Sequence, residues 1–541
     1  MAKTSADASA AEEKEHPKGE LFPIVGVGAS AGGLEAFTEF LRHLPLDTGM
    51  AFVLVQHLDP LHESALTQLL SRATKMPVGE ITHELRVEPN KVYIIPPNKT
   101  LCITNGVLEL QPREQAPKPH RSVDFFFEAL AQDQHERAIG VVLSGTASDG
   151  TLGLETIKAE GGITFAQDDS AKYDSMPRSA VAAGCVDFVL SPQNIAKELA
   201  RIAQHPLVAA GARTSGPEND RAAAIKHQDD DTALPSGGHG APDTGSVQAH
   251  NGAGHDQAAS PSEGEGKGDD SYKKILIVLR NHCGVDFMLY KSGTIQRRIT
   301  RRMVLNRQNT TGDYAQFLQG NTKELDALYS DVLISVTSFF RNPEAFEFLK
   351  AKVFPAILPE QRDDPLRIWV LGCSTGQEAY SLAMSFAEFS DSLPAVPRLQ
   401  IFATDLNNAL LDKARAGLYA KSLADDISPE RLRRFFTEED GGYRINKALR
   451  ESIIFARHNL LSDPPFSRMD LISCRNLLIY IEPDLQKKAF PTFHYALKPK
   501  GCLFWARPKR LAPSPICLNP WTRSRKFIPG NQGRRQRFRY V

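Results

Sequence analysis

PIVGVGASAGG, residues 23–33, sets the reading of the first half of this chain. An apolar run enters a turn of small residues, and apolar residues at helical spacing begin at Leu34. A strand, a tight turn and a helix in that order open a parallel α/β unit. Ser30 stands in the middle of the turn. Two chemistries suit such a corner. A glycine-rich turn can hold a phosphate at a helix N-terminus, or a serine can be presented as a nucleophile. The lysine of a phosphate loop is missing, and so is an acidic residue at the distance a dinucleotide site uses.

Working outward, apolar strands alternate with helical patterns: FPIVGVG, MAFVLVQ, KVYIIPP, AIGVVLSG, GITFAQ and VDFVLSP read as strands. Strands this apolar imply a mostly parallel, doubly wound sheet covered on both faces. TLCITNGVLELQ reads as a hairpin turning at Asn105–Gly106. In open parallel sheets the chemistry gathers at the carboxyl ends of strands. Three polar residues fall there: Ser30, His57 after FVLVQ, and Asp149 after VVLSGTAS. A serine needs a base, imidazole supplies one, and a carboxylate orients the imidazole.

Composition narrows the class. Lys plus Arg and Asp plus Glu are equal at 64 each, so bulk charge favours neither nucleic acid nor membrane as a partner. No apolar run reaches the roughly 18 residues of a spanning helix, and the first 20 residues lack the apolar core of a secretory signal. The seven cysteines form no CxxC pair, which argues against a metal site or a disulfide framework and makes a reducing cytoplasm the default location. Residues 1–20 read as a disordered N-terminus and 21–206 as the first catalytic domain. Residues 207–270, rich in Gly, Ala, Ser and Asp, read as a flexible linker between halves expected to fold alone.

The second half opens with a helical pattern over 271–335 that carries Arg297, Arg298, Arg301 and Arg302. These four read either as a solvated face or as a docking surface for acidic helices. An α/β pattern over 336–504 follows, with a polar insertion at about 424–456. In IWVLGCSTGQEAYS a small-residue loop joins a strand to a helix, and Asp405 closes the next strand, IFATD, where a carboxylate can receive ribose hydroxyls. The loop is too poor in glycine for a pyrophosphate site and suits S-adenosylmethionine better.

With those residues in view, the chain resembles two families. IVGVGASAGG, VLVQHLDP, VLSGTASDGTLGL and MPRSAVAAG resemble the chemotaxis protein-glutamate methylesterase over about residues 22–205. The resemblance implies Ser30 as nucleophile, His57 as general base, Asp149 as its orienter and the Thr146 backbone amide in the oxyanion hole. It implies glutamate methyl esters on chemoreceptor helices, and certain receptor glutamines, as substrates. Ala31 and Thr146 depart from the residues common in that family. With only about 20 residues upstream, a phosphorylated receiver domain is not expected.

SVTSFFRNPEAFEFL, GCSTGQEAYSLAM, ATDLN, RHNLL and CRNLLIYI resemble the chemotaxis protein-glutamate O-methyltransferase over about 272–504. This resemblance implies an S-adenosylmethionine site lined by Ser335, Thr337, Arg341, Glu378, Asp405, Asn459, Leu460, Arg475 and Asn476, with Arg341 and Tyr480 positioning the acceptor carboxylate. The expected whole is a fused editor of methyl-accepting chemoreceptors that involves neither nucleic acid nor membrane insertion. Its rivals are a scaffold that keeps both folds, and a cytosolic serine hydrolase joined to a small-molecule methyltransferase.

The end does not fit. Residues 501–541 hold ten Lys or Arg and no acid, and 505–541 departs from the family pattern. Such a basic run reads either as a nucleic-acid or membrane tail or, preferably, as a reading-frame slip near Phe504, whose expected consequence is a lost edge hairpin and a weakened transferase half.

Overall fold

The computed structural model describes residues 21–56, 66–112, 121–210, 265–333, 336–358, 364–421, 427–440, 442–505 and 516–518 of the 541. Most of the expected linker, the N-terminal 20 residues and most of the basic tail lie outside them. The first half contains β1 (Ile24–Ala29), β2 (Ala51–Gln56), β3 (Val78–Glu80), β4 (Leu85–Arg86), β5 (Val92–Ile94), β6 (Lys99–Thr104), β7 (Val107–Pro112), β8 (Ala138–Val142), β9 (Ile163–Gln167) and β10 (Phe188–Leu190). Seven of these form one parallel sheet in the order β10-β9-β8-β1-β2-β5-β3. Every residue of β1 and β8 is buried, which is why their sequences are apolar throughout rather than alternating.

Helices Gly33–His43 and Pro192–Ala203 close one face with Phe37, Phe40, Ile195 and Leu199. Ser122–Gln134 and Thr151–Glu160 close the other with Phe126, Phe127, Leu154 and Ile157. The hairpin of β6 and β7 turns at Asn105 and Gly106, with φ of 52° and 71°, the positive pair that a two-residue primed turn demands.

In the second half, helices Glu265–Cys283, Ser292–Leu305, Thr311–Leu318 and Thr322–Val332 pack around Leu279, Tyr314 and Leu328. The first begins at Glu265, inside the stretch expected to be linker. Then follow β11 (Leu366–Leu371), β12 (Leu399–Asp405), β13 (Leu418–Tyr419), β14 (Phe436–Glu439), β15 (Gly442–Ile445), β16 (Ile453–Arg457), β17 (Met469–Cys474), β18 (Leu497–Trp505) and β19 (Ile516–Leu518). The main sheet runs β16-β12-β11-β17-β18-β19, parallel except for its last pair. The insertion is a small sheet ordered β13-β15-β14.

Two expectations are corrected here. Residues 453–456, expected within the insertion, form β16 of the main sheet, in register with β12 from Ile401↔Ile453 to Asp405↔Arg457. Alternation of buried and exposed residues along β16 marks it as an edge strand, a weaker signal than a central strand gives. Nor is the outer edge bare, because Leu503, Phe504 and Trp505 pair with Leu518, Cys517 and Ile516 of β19.

The arginine-rich helix is not free surface in this arrangement, since Arg298 and Arg301 are buried, at 5% and 3% exposure. Arg298 Nη1 donates to the carbonyl of Lys158 at 2.7 Å, and Arg301 Nε to that of Gly162 at 2.9 Å. Those carbonyls lie at and just beyond the C-terminal end of helix Thr151–Glu160, and the Lys158 carbonyl also accepts from the Gly161 N–H at 3.1 Å. The Arg301 guanidinium also bridges Asp187 of the first half and Asp331 of the second. Arg302 is taken up by Glu324. Val304 and Leu305 pack into the apolar cluster of the first half.

Candidate functional site

The first site is assembled where the strand order reverses. β1 lies between β2 and β8, so the loops after β1 and β8 diverge to opposite faces and leave a crevice between them. Ser30 follows β1, and its backbone N–H donates to the Ser144 carbonyl of the β8 loop at 3.0 Å. Two glycines make the corner. Gly32 has φ of 75°, and a methyl group there would lie 2.7 Å from Ser144 Oγ. A methyl group at Gly145 would lie 3.0 Å from Ser30 Cβ and 2.0 Å from Met176 Sδ. Thr146 is exposed in the same turn, next to Gly145.

Asp149 is buried at the start of the following helix pair. Its two carboxylate oxygens accept the backbone N–H groups of Val123 and Asp124 at 3.0 and 2.9 Å. These are first-turn amides of helix Ser122–Gln134, so the helix N-terminus receives the charge. His57 lies outside the described residues. The residue before it, Gln56, ends β2 opposite Ala29 and donates from Nε2 to the Ser30 carbonyl at 3.4 Å.

Sequence reading missed Asp124. Burial, reinforced by the neighbouring charge of Asp149, pushes its carboxyl up to about 7. Arg121 at 2.9 Å and the Gly153 N–H at 2.8 Å work against that rise. The available signal was Arg-x-x-Asp across a helix start, which gives neighbours on one face.

The second site repeats the logic. β11 lies between β12 and β17, and the loops after β11 and β17 face each other across the reversal. Gly372, Ser374 and Gly376 have φ of 63°, 52° and 94°, which fold GCSTG into a tight cradle before helix Gln377–Ser390. The Ser374 N–H donates to Asp405 at 2.9 Å, linking the cradle to the end of β12. Burial raises the Asp405 carboxyl above the usual range, against donors from Asn407, Ser374 and Leu406.

Glu378, in the first turn of that helix, accepts from Ser473 Oγ and lies 3.6 Å from Arg475 Nη1. Arg475 Nη2 donates to the Arg341 carbonyl at 2.7 Å and to Asn342 Oδ1 at 2.9 Å, and its guanidinium lies over the rings of Phe346 and Phe504. Asn476, beside it, has φ of 55°. Asn459 and Leu460 follow β16, and Asn459 Oδ1 accepts from the Leu461 N–H at 3.0 Å. Arg341 is exposed and donates to the Val336 carbonyl at 2.9 Å, with Thr337 in the same segment. Tyr480 is 39% exposed. Burial, then the charge of Glu160, raises its phenol. Ser335 lies outside the described residues. Tyr290 and Tyr329 come from the helical bundle, and Tyr329 donates to the Leu406 carbonyl at 2.9 Å. Burial raises both phenols, with Asp405 adding to the rise. Neither was visible in the sequence, because they reach the site from a separate domain.

Arg475 Nη1 is buried and has the Glu378 carboxylate at 3.6 Å as its ion-pair partner. The tight GCSTG cradle before helix Gln377–Ser390, with the buried Asp405 carboxylate beside it to receive ribose hydroxyls, fits S-adenosylmethionine. Among the described residues no cluster of His, Cys, Asp and Glu could hold a metal ion, and no helix is long and apolar enough to cross a membrane.

Fold and sites together define a doubly wound, parallel-sheet α/β domain joined to a domain of the S-adenosylmethionine-dependent methyltransferase class. Residues 25–199 match the family model for CheB methylesterase. Residues 270–333 match the CheR methyltransferase all-alpha domain, and 335–514 its SAM binding domain. The chain is 35% identical over 236 residues to a chemotaxis protein methyltransferase of Listeria monocytogenes, covering 44% of this chain and 88% of that protein. It is 38% identical over 442 residues to an uncharacterized 104.1 kDa protein of Rhodobacter capsulatus, covering 81% of this chain and 43% of that protein. It thus spans less than half the length of that relative. The CheB methylesterase catalytic domain of Thermotoga maritima aligns with 28% identity over 34% of this chain and 98% of that one, with a TM-score of 0.32. The chain belongs to the chemotaxis protein methyltransferase family and carries a CheB methylesterase domain ahead of the methyltransferase, a CheB–CheR fusion.

Proposed function

We propose that the chain both removes and installs methyl esters on glutamates of methyl-accepting chemoreceptor helices. In the first domain, Ser30 Oγ attacks the ester carbonyl while His57 takes its proton. Asp149 holds the imidazole in the correct tautomer. The Thr146 amide stabilises the developing oxyanion, and His57 then protonates the leaving methoxide. Water repeats the cycle on the acyl-enzyme and releases glutamate. The observation that carries this reading is the placement of Ser30 and the Asp149 loop on either side of the β1/β8 reversal, with Asp149 seated on a helix N-terminus.

In the second domain, S-adenosylmethionine supplies an electrophilic methyl group. Glu378, Asp405, Asn459, Leu460, Arg475 and Asn476, with Ser335 and Thr337, hold it. Arg341 and Tyr480 align the acceptor carboxylate, and alignment alone supplies several kcal/mol of such a barrier. Deamidation of receptor glutamines follows from the same Ser30 chemistry.

The test is incubation of the full chain with labelled S-adenosylmethionine and receptor cytoplasmic fragments, following label uptake and methanol release. Ser30→Ala should lower methanol release by about 10³-fold or more and leave label uptake intact. Equal methanol release from variant and parent removes Ser30 from the mechanism. Small esters turned over better than receptor fragments would favour the unrelated-hydrolase alternative.

A further inference from the structure

The arginine face of helix Ser292–Leu305 is covered by the methylesterase domain of the same chain. Arg301, with a side chain of 0% exposure, lies between one carboxylate of its own domain, Asp331, and one of the other half, Asp187. Lys158 stands 3.6 Å from that same Asp187 carboxylate, and its carbonyl accepts from Arg298. Gly161 lies against Arg297 and Arg298, where a methyl group would be 3.7 and 3.5 Å from their side chains. An acidic helix from outside would need the surface that Asp187 and the 158–162 turn now occupy. Glu160 belongs to that turn and is close enough to Tyr480, at the acceptor side of the transferase, for its charge to act on the phenol.

The covering edge is not the catalytic edge. Gly162 immediately precedes β9 and Asp187 immediately precedes β10, so the contact is made by the amino ends of the parallel strands. Ser30 and Asp149 follow the carboxyl ends of β1 and β8, at the opposite side of the sheet. The contact therefore lies away from Ser30 and Asp149.

We propose that the methylesterase domain is a built-in competitor of the receptor for the arginine face: docked, the chain hydrolyses esters and is closed to methyl acceptors, and only on release can the transferase receive an acidic receptor helix. The proposal rests on the receptor-directed transferase reading above. Asp187→Asn tests it in the full chain. The asparagine keeps an oxygen for Thr164, whose N–H and Oγ lie 3.0 Å from one Asp187 oxygen, and turns an amide toward Arg301. Arg201→Ala, which removes the donor to the Val304 carbonyl at 3.4 Å, is a second variant that leaves Asp187 and its neighbours untouched.

The expected result is an expanded particle in small-angle scattering and about tenfold tighter binding of an acidic receptor fragment by fluorescence anisotropy. Esterase turnover and S-adenosylmethionine affinity should not change. Expansion without tighter binding, or no expansion in either variant, overturns the proposal. A parent chain that fails to bind S-adenosylmethionine by calorimetry overturns the transferase reading beneath it instead.

Discussion

Replacing Glu378 by glutamine isolates the electrostatics of the cofactor cradle. The carboxylate is the only acidic group within salt-bridge distance of Arg475 among the described residues, at 3.6 Å, and the Arg475 side chain is 3% exposed. Removing one partner of a buried pair costs about 3–5 kcal/mol, because the remaining charge stays desolvated. Arg475 keeps the Arg341 carbonyl and Asn342 Oδ1 as acceptors, which places the expected loss at the low end, about 3 kcal/mol. For a domain of this size that corresponds to roughly 6–12 °C in Tm. The assay is calorimetric unfolding of the full chain, following the transferase transition. A double variant, Glu378→Gln with Arg475→Met, should recover at least half of the loss, since methionine fills the aromatic slot between Phe346 and Phe504 without a charge. A loss below about 1 kcal/mol in the single variant, or no recovery in the double, would refute the reasoning.

Three further outcomes follow. Gly28→Ala brings a methyl group within 2.3 Å of Val123 Cγ1, on the stiff side chain of the residue whose N–H holds Asp149. Methanol release should fall about 100-fold while label uptake from S-adenosylmethionine is retained, because a displacement of about 1 Å carries that cost. The Asp124 carboxyl, pushed up to about 7, binds a proton in the folded state that the unfolded chain has released, so its burial destabilises the domain progressively from about pH 4 to pH 7. Asp124→Asn should flatten that fall in a pH series of thermal unfolding, and an unchanged slope would contradict the assignment. Ending the chain at Trp505 removes the β19 pairing and bares the β18 edge, so the truncated protein should aggregate at concentrations where the parent stays monodisperse by light scattering.

Much of this molecule was legible because the signals were local. Apolar runs followed by small-residue turns marked both sheets, strand ends pointed to Ser30, Asp149 and Asp405, and Arg475 came from the resemblance alone. What escaped was non-local. The partners of Arg298 and Arg301 include carbonyls and a carboxylate more than a hundred residues away, so a basic stripe read locally looked like free surface. Tyr290 and Tyr329 enter the transferase site from another domain, and nothing in their own segments marks them. Asp124 lacked a signal of its own beyond Arg121, since its neighbour Asp149 is brought to it by the fold. The β19 pairing escaped for a different reason: a short strand in a basic, proline-containing segment has no periodicity to read.

The arginine bridge between the halves has a consequence for how the chain is encoded. Two domains on one polypeptide meet at an effective concentration of order millimolar. A contact with an intrinsic Kd of about 100 μM would then be closed about nine-tenths of the time, independent of how much protein the cell makes. The same domains expressed as separate polypeptides at micromolar levels would spend nearly all their time apart. Fusion thus converts a contact too weak to survive dilution into a fixed property of each molecule, and splitting the gene would change the balance of the two activities without altering a single residue.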